Sequence, residues 1–142
     1  MQTKLFLKET VLLTKSFDAH QDWEVPIPGF FIIASKDTTK KSIAEFTSEE
    51  VKELGSVIHR VRVGMREVLD IKDVYLLQNE ASKHGFHVWM FPRYSWMEKF
   101  GWSPKSIALI MEHANKHMKT DGNIKEVKDA VIRVREYLEN RS

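Results

Sequence analysis

The sequence predicts an α+β fold in which an antiparallel sheet is followed by helices. Short apolar runs separated by polar and turn residues occupy residues 5–35, which is typical of antiparallel strands. Apolar residues then recur at steps of three and four between residues 51 and 68, which indicates one long amphipathic helix. Two further helical patterns follow residue 103. Strands first and helices grouped afterwards favour the α+β class.

Length and composition indicate one globular domain. The chain has 142 residues, 42% hydrophobic and 30% charged, which excludes a disordered chain and a membrane protein. Cysteine is absent, so a disulfide scaffold, a cysteine-ligated zinc site and a thiol nucleophile are also excluded. The 22 basic and 20 acidic residues give a net charge of +2, without the basic excess of a nucleic-acid-coating protein. We therefore expect no nucleic-acid partner.

The N-terminal residues are not expected to form a targeting or membrane segment. Lys4, Lys8 and Glu9 interrupt the apolar residues there, so no signal peptide is predicted. No run approaches the about 18 apolar residues of a membrane span. We expect a cytoplasmic protein with no membrane partner.

The first strands are predicted at the runs LFL, VLL and FFII, which begin at residues 5, 11 and 30. Pro26, Pro28 and Gly29 mark a bend before the third run. Residues 30–35 are apolar at nearly every position, which predicts a central strand covered on both faces.

The long helix has a clear start and a clear apolar face. Thr47 and Glu50 form the T-x-x-E pattern of a capping box. The stripe predicted to pack on the sheet consists of Val51, Leu54, Ile58, Val61, Met65 and Val68. The opposite, solvated face carries Lys52, Glu53, Arg60 and Glu67.

A hairpin and two helices complete the chain. Residues 74–77 and 86–91 read as two strands joined by a polar loop, and Pro92 ends the second strand because it cannot donate to the ladder. The next helix is predicted from Ser103 and Pro104, with a stripe made of Ile107, Ile110, Met111, Ala114 and Met118. Asp121 and Gly122 break the chain, and Asn123 with Glu126 is predicted to cap a last helix that buries Val127, Val131, Val134 and Leu138.

Histidine and carboxylate side chains carry the chemistry available to this chain, which has six histidines. His59 lies mid-helix and is expected on the surface. His113 and His117 lie four residues apart on a helix, a spacing that can chelate a metal. No third ligand and no H-E-x-x-H pattern accompany them, so a solvated helix face is favoured and no metal or cofactor is expected.

His87 interrupts an otherwise apolar strand, KHGFHVWMFPR. Alternation places His87, Trp89 and Phe91 on one face, opposite Phe86, Val88 and Met90. Two interpretations stay open for the imidazole. It is either bonded to neighbouring backbone as a structural residue, or held rigidly on the strand as a nucleophile.

The segment HGFHVWMFPRY resembles the signature of the histidine triad (HIT) superfamily, in which His-φ-His-φ-His-φ-φ lies on a strand and is often followed by Pro-Arg. Counting back from Pro92, His87 falls at the middle histidine, which is the nucleophile. PGFFIIASK resembles the early strand of the family, and the long helix and VYLLQN follow in the expected order. The resemblance covers roughly residues 10–100.

Two positions depart from the family pattern. Trp89 replaces the third histidine, and His84 lies three residues before His87 instead of two. Strict alternation would send the two imidazoles to opposite faces, whereas a bulge at Gly85 would bring them together. Galactose-1-phosphate uridylyltransferases, in the same superfamily, also lack the third histidine and still transfer nucleotides. Loss of that position alone therefore does not imply loss of activity.

The resemblance implies an HIT-like antiparallel sheet with one long packed helix over residues 1–102, and a C-terminal helical extension over residues 103–142 that packs on the same domain. It implies a homodimer. It also implies a nucleotide phosphate hydrolase or nucleotidyl transferase of the dinucleoside polyphosphate or nucleoside phosphoramidate type, acting through a covalent nucleotidyl-histidine. A catalytically impaired nucleotide-binding module and a partner-binding protein remain as alternatives.

The same resemblance implies the site residues. His87 is the expected nucleophile, and His84 is expected to contact the phosphate or protonate the leaving group. The residues expected to bind nucleotide or phosphate are Asn79, Gln78, Lys83, Trp89 and Arg93. For Lys83, Trp89 and Arg93 the alternatives are solvation, packing and an ion pair. The aromatic segment of residues 93–102 is expected to form a lid or a dimer contact.

Overall fold

The structure is a computed structural model that describes residues 4–141. Its five strands are β1 (Thr10–Leu13), β2 (Phe17–Gln21), β3 (Phe31–Ser35), β4 (Val74–Gln78) and β5 (His87–Pro92). Its α-helices are α1 (Ser48–Leu69), α2 (Ser106–His117) and α3 (Asp121–Glu139), and short 3₁₀ helices cover Ile43–Glu45 and Ser95–Phe100. The α+β class predicted from the sequence is confirmed.

The five strands form one antiparallel sheet in the order β1-β2-β3-β5-β4. β3 is its central strand, as the apolar run predicted, and the hairpin of β4 and β5 is also present. The two edges of the sheet are β1 and β4.

The strand predicted at residues 5–7 is absent. Phe6 is nevertheless fully buried, and its N–H donates to the carbonyl oxygen of Trp23 at 3.0 Å. Lys8 adopts a φ of 67°, which ends any extended backbone there. Burial of one phenylalanine in a turn therefore explains the apolar signal that suggested a strand.

Helices cover both faces of the sheet and create two cores. The first core joins one sheet face to α1 and α3; among its members are Phe17, Phe31, Ile33, Val88, Met90, Leu54, Val61, Met65, Val131, Val134 and Leu138. The second core joins the opposite sheet face to α2 and the Ser95–Phe100 segment; it includes Phe30, Ile32, Phe91, Met97, Ile107, Ile110 and Ala114. Both C-terminal helices thus contribute side chains to the cores under the sheet.

The start of α1 follows the predicted capping box. Thr47 Oγ1 accepts from the Glu50 N–H at 3.1 Å, and a Glu50 carboxylate oxygen accepts from the Thr47 N–H at 2.9 Å. Two predicted positions on this helix are wrong. Val51 lies in the first turn and is 44% exposed, whereas Glu53 is half-buried because its carboxylate accepts from the Ser16 N–H at 2.7 Å.

The starts of the last two helices differ from the prediction. α2 begins at Ser106, because Ser103 closes a preceding turn by accepting from the Lys105 and Ser106 N–H groups. α3 begins at Asp121 and is capped by Thr120, whose hydroxyl accepts from the Asn123 N–H at 3.2 Å. The Asn123 side chain instead donates to the carbonyl oxygens of Pro26 and Met118. Within residues 4–141, no helix combines the length and apolar character that crossing a membrane requires.

Candidate functional site

His87 is the first residue of β5 and is half-buried, with its side chain on the sheet face that also carries Trp89 and Phe91. Its Nδ1 atom lies 2.9 Å from the carbonyl oxygen of Gly85. A carbonyl oxygen can only accept, so Nδ1 of the neutral ring carries the proton and Nε2 keeps its lone pair. The backbone bond expected of a structural histidine is present, yet the ring is not sealed in the core. The geometry therefore combines the backbone bond of a structural histidine with the accessible ring that a nucleophile requires.

His84 is brought to the same place as His87. The centroids of the two imidazole rings are 6.1 Å apart and the rings are nearly perpendicular, at 82°. The alternation rule does not apply to this pair, because β5 begins at His87 and His84 lies in the preceding loop. His84 is exposed, so its ring can exchange protons with solvent or with a ligand.

Gly85 allows this loop to pack closely against residues 37–42. A Cβ atom at Gly85 would lie 2.9 Å from both the Cα and the carbonyl oxygen of Thr38, which is shorter than real Cβ contacts. The glycine that suggested a ladder bulge is therefore required for a close backbone approach. Its carbonyl oxygen is the acceptor for His87, so the packing of Gly85 also orients the imidazole.

Further bonds fix the loop before β5 to its neighbours. The Phe86 N–H donates to the Lys40 carbonyl oxygen at 2.7 Å, and the Phe86 carbonyl oxygen accepts from the Ser35 N–H at 3.0 Å. The Lys41 ammonium donates to the Ser82 carbonyl oxygen at 3.0 Å. The side-chain hydroxyl and the N–H of Thr39 hold the pKa of Asp37 below its usual range, so this support loop keeps one carboxylate ionised.

Asn79 and Lys83 lie in the loop that leads to His87. Extending the β4–β5 register by one pair from Gln78–Val88 places Asn79 opposite His87. Asn79 Oδ1 accepts from the Ala81 N–H at 2.9 Å, so its amide NH₂ is the group that remains for a ligand. Lys83 is exposed beside His84. Both residues belong to the part of the molecule that carries the two histidines.

Two residues of the predicted binding set lie elsewhere. Gln78 pairs with Val88, whose side chain is in the first core, so alternation sends the Gln78 side chain to the face opposite His87. Arg93 follows the far end of β5, and six residues of extended strand correspond to about 20 Å. Neither residue can share a small phosphate site with His87.

Trp89 lies two residues along the strand from His87, on the same face, and is half-buried. Its ring meets Phe30 edge to face, with 5.5 Å between centroids. Trp89 therefore packs against the second core at the boundary of the candidate site. The tryptophan therefore gives this side of the candidate site an apolar wall.

The sheet also places Asp18 in line with His87, which the sequence did not reveal. Asp18 pairs with Ala34, and Ala34 pairs with His87, so the three side chains share one face in one row. With strands about 4.8 Å apart, the Asp18 and His87 backbones are about 10 Å from each other. Ala34, which lies between them in the row, is small and half-buried. The sequence shows the alternation of side chains along β2, but it does not show that β2 pairs with β3 and β3 with β5.

The histidine pair on α2 is not a plain solvated face. The His113 and His117 ring centroids are 5.0 Å apart, and Trp96 and Phe100 lie 5.6 Å and 5.3 Å from His113. Burial, with smaller contributions from Lys99 and His117, lowers the pKa of His113. His117 and His59 are exposed as expected, whereas His113 is half-buried. Among residues 4–141, no group of three or more histidine, aspartate or glutamate side chains could hold a metal ion.

The candidate site lies on the sheet face that carries His87 and Trp89. Two depressions occur elsewhere: one of about 700 Å³ beside β1 and α3, and one of about 370 Å³ beside the start of α1. Neither is lined by His84 or His87. The residues around His87 are those of the loop before β5, Trp89 and the strand row of Asp18 and Ala34.

Solved structures of histidine triad proteins share this fold at low sequence identity. A zinc-bound histidine triad family protein from Mycobacterium smegmatis has a TM-score of 0.57 and 14% identity, with coverage of 91% of this chain and 87% of that one. A member of the HIT family from Bacillus subtilis has a TM-score of 0.55 and 17% identity, covering 79% and 89%. The NitFhit protein of C. elegans has a TM-score of 0.54 and 13% identity, covering 75% of this chain.

The present chain spans only 26% of the NitFhit chain. No protein-family model matches the sequence, and no curated protein is significantly similar to it. At these identities the likeness shows the fold alone. The resemblance that HGFHVWMFPRY suggested is confirmed at the level of a divergent fold.

Proposed function

We propose that this chain, which has a divergent histidine triad fold, binds a nucleotide phosphate at His87 and cleaves it through a covalent nucleotidyl-histidine. One observation carries the proposal. In the neutral ring, the 2.9 Å contact between His87 Nδ1 and the Gly85 carbonyl oxygen places the proton on Nδ1 and leaves the Nε2 lone pair free, and the ring is only half-buried. A nucleophile needs this combination of fixed orientation, free lone pair and access.

The reaction then has two balanced steps. His87 Nε2 attacks the phosphorus atom and forms a P–N bond, while the bond from phosphorus to the leaving group breaks with its electron pair. Water next attacks phosphorus and loses one proton to solvent, the P–N bond breaks with its electron pair returning to Nε2, and the nucleotide and neutral His87 are released. The ring becomes cationic when the P–N bond forms, and the Gly85 carbonyl oxygen stabilises that charge by accepting from Nδ1–H.

His84 is the candidate proton donor to the leaving group. Its ring centroid lies 6.1 Å from that of His87, so the two imidazoles can reach the same phosphoryl group and its leaving atom from one side. Its exposure lets it recover a proton from solvent after each turnover. A leaving oxygen or nitrogen on the His84 side would thus depart as a neutral group.

The loop before β5 supplies donors for the phosphoryl oxygens. The Asn79 amide and the Lys83 ammonium are the available positive ends, because the N–H groups of Ala81, Ser82, His84 and Phe86 already donate to acceptors within the protein. The proposed substrates are dinucleoside polyphosphates or nucleoside phosphoramidates. The nucleoside would lie against Trp89, the wall of the site.

Turnover assays with matched variants test this function. Diadenosine polyphosphate and adenosine phosphoramidate are incubated with the wild-type chain, with His87→Ala, and with the control His59→Ala on the exposed face of α1. Hydrolysis that is lost at least a hundredfold in H87A and kept in H59A supports the proposal. Hydrolysis that survives in H87A places any activity elsewhere and rules out the proposed nucleophile.

A binding module without catalysis is the second candidate, and Trp89 favours it. The tryptophan replaces the third family histidine, and its contact with Phe30 ties it to the core. Calorimetry with AMP and ADP distinguishes the candidates when combined with the turnover assay. Binding without turnover supports the module, whereas absence of binding excludes both.

We also propose that the chain forms a homodimer through β4. This strand is an edge of the sheet, and its Leu76 side chain is 53% exposed. An unpaired edge with an exposed apolar side chain is a template for strand pairing. Sedimentation velocity should give a dimer for the wild type and a monomer for Leu76→Lys. The control Leu109→Lys, at a 55% exposed position of α2, should remain dimeric; a wild-type monomer would exclude the proposal.

A further inference from the structure

Arg93 is a buried cation whose hydrogen-bonding capacity is largely unused. The residue is only 7% exposed, although it lies at the end of an outer hairpin of the sheet. One terminal nitrogen donates to the Gly101 carbonyl oxygen at 2.8 Å. Its Nε and Nη1 atoms are buried and have no hydrogen-bond partner within residues 4–141. None of the ion pairs formed in that part of the chain includes Arg93.

Aromatic rings surround the guanidinium group without satisfying it. The Cζ atom of Arg93 lies 4.5 Å from the ring centroid of Trp102 and 5.5 Å from that of Tyr75. The faces of aromatic rings attract a cation. The N–H groups of a guanidinium point outward in its plane, so these contacts leave Nε and Nη1 without acceptors. Buried charges are normally paired, and a buried guanidinium without a counter-ion is costly.

The Trp102 ring, which lies over the Arg93 guanidinium, follows a glycine with an unusual backbone conformation. Gly101 has a φ of 93° and a ψ of 171°, a conformation that is essentially restricted to glycine. A Cβ atom there would touch nothing within 4 Å, so backbone conformation rather than space requires the glycine. The next residue, Trp102, is 56% exposed, and its carbonyl oxygen accepts from the Tyr75 hydroxyl. The Trp102 ring thus covers the guanidinium from the solvent side, and the hydrogen bond from Tyr75 fixes the Trp102 backbone.

We propose that Arg93, Tyr75 and Trp102 form a binding site for a carboxylate. The carboxylate accepts from the free N–H groups in the guanidinium plane and supplies the missing negative charge, while Trp102 closes over it. A planar monoanion suits this place better than a phosphate, because a site between aromatic rings strips the anion of water and a dianion loses more hydration. The site is about 20 Å from His87, so it does not depend on the function proposed there.

The Nε–H resonance of Arg93 provides a direct measurement. A buried Nε–H exchanges slowly enough for detection by proton–nitrogen correlation spectroscopy, and the signal is assigned by its loss in Arg93→Lys. The wild type is titrated with N-acetylglycine, with acetate and, separately, with inorganic phosphate. The control is the exposed Arg66, whose Nε–H belongs to the same spectrum.

The expected result is a saturable shift of the Arg93 signal with both carboxylates, no comparable shift of Arg66, and a rise in melting temperature that R93K loses. Trp102→Phe keeps a ring and should keep binding, whereas Trp102→Ala should weaken it at least fivefold. Because Trp102 is largely exposed, both variants should fold even if R93K does not. Saturation by phosphate alone would overturn the carboxylate assignment. Equal shifts of Arg93 and Arg66, or no saturation, would show that Arg93 serves the fold only.

Discussion

The carbonyl oxygen of Gly85 accepts a hydrogen bond from His87 Nδ1 at 2.9 Å, across one intervening residue. The same glycine packs so tightly on Thr38 that a Cβ atom would lie 2.9 Å from two backbone atoms. The orientation of the imidazole therefore depends on a contact between two loops that are more than 40 residues apart in the chain. A change at Gly85 should affect His87 without touching it.

Gly85→Ala should lower both stability and activity. The backbone must shift to admit the methyl group, which we expect to cost about 1–3 kcal/mol in the free energy of unfolding. The shift moves the acceptor of His87, so kcat/KM on adenosine phosphoramidate should fall about tenfold or more. Urea unfolding and initial rates check these two effects.

Gly55→Ala is the matched control for that substitution. Gly55 lies in α1, and a Cβ atom there would meet nothing within 4 Å. Replacing a helical glycine by alanine should stabilise the protein by about 0.5–1 kcal/mol and leave the rate unchanged. If both alanine variants keep full activity, the link between the Gly85 backbone and His87 is wrong.

Asp18→Asn should strengthen binding of a nucleotide monophosphate. The carboxylate lies in the same row as His87, at about 10 Å between backbones, and opposes an anion placed over Ala34. At about 10 Å and a high effective dielectric constant, one pair of unit charges contributes about 0.4–0.8 kcal/mol, or a two- to fourfold change in Kd. Calorimetry with AMP measures it, and Asp129→Asn on the exposed side of α3 is the control. Weaker binding by D18N would mean that Asp18 contacts the ligand as an acceptor.

Stability should fall as pH falls through the range in which histidine titrates, and His113 should account for part of this. Burial lowers the pKa of His113 in the folded protein, with Lys99 and His117 as smaller causes. The unfolded chain, with an ordinary pKa of about 6.5, then binds the proton more tightly. The contribution of His113 is therefore fully present above pH 6.5 and lost as pH falls through its folded pKa.

Urea midpoints measured between pH 8 and pH 5 check this dependence. The curve of His113→Gln should be flatter than that of the wild type, because the variant has no proton to bind at this position. His59→Gln, at an exposed position of α1, should retain the wild-type slope. Parallel curves for H113Q and wild type would contradict the assignment.

Thr47→Ala should destabilise the chain by about 1 kcal/mol. The hydroxyl of Thr47 accepts from the Glu50 N–H at 3.1 Å, and the substitution leaves that donor of the first helical turn without its partner. Chemical denaturation should show a lower midpoint and an unchanged slope. Ser48→Ala, one residue into the helix, is the control and should have little effect. A T47A variant as stable as the wild type would mean that water satisfies the helix start equally well.

The sequence predicted correctly those elements that depend on residues close together in the chain. The capping box at Thr47, the apolar run of β3 and the polar loop before β5 all have short-range signals, and all three are present. The strand expected at residues 5–7 and the cap expected at Asn123 are wrong. In both places a group bonds to a residue far along the chain: the Phe6 backbone N–H donates to the Trp23 carbonyl oxygen, and the Asn123 side-chain amide donates to the Pro26 carbonyl oxygen.

In the candidate site, the sequence predicted only the residues that lie close to His87 along the chain. His87 and His84 were found because they are three residues apart, but their convergence depends on the contact of Gly85 with Thr38. Asp18 was missed because its relation to His87 passes through two strand pairings. Gln78 was assigned to the site because it lies next to Asn79 in the chain. The alternation of side chains along β4 places the Gln78 side chain on the opposite face of the sheet from His87.

Detection of an adenylate bound to His87 tests the central claim most directly. The chain is mixed with adenosine phosphoramidate, quenched at alkaline pH to preserve a P–N bond, digested and analysed by tandem mass spectrometry. We expect one adenylate on the peptide that contains His87, absent in H87A and formed more slowly in His84→Ala, which lacks the proton donor to the leaving group. Substrate turnover with no adduct on that peptide at any time, or an adduct on another residue, would contradict it.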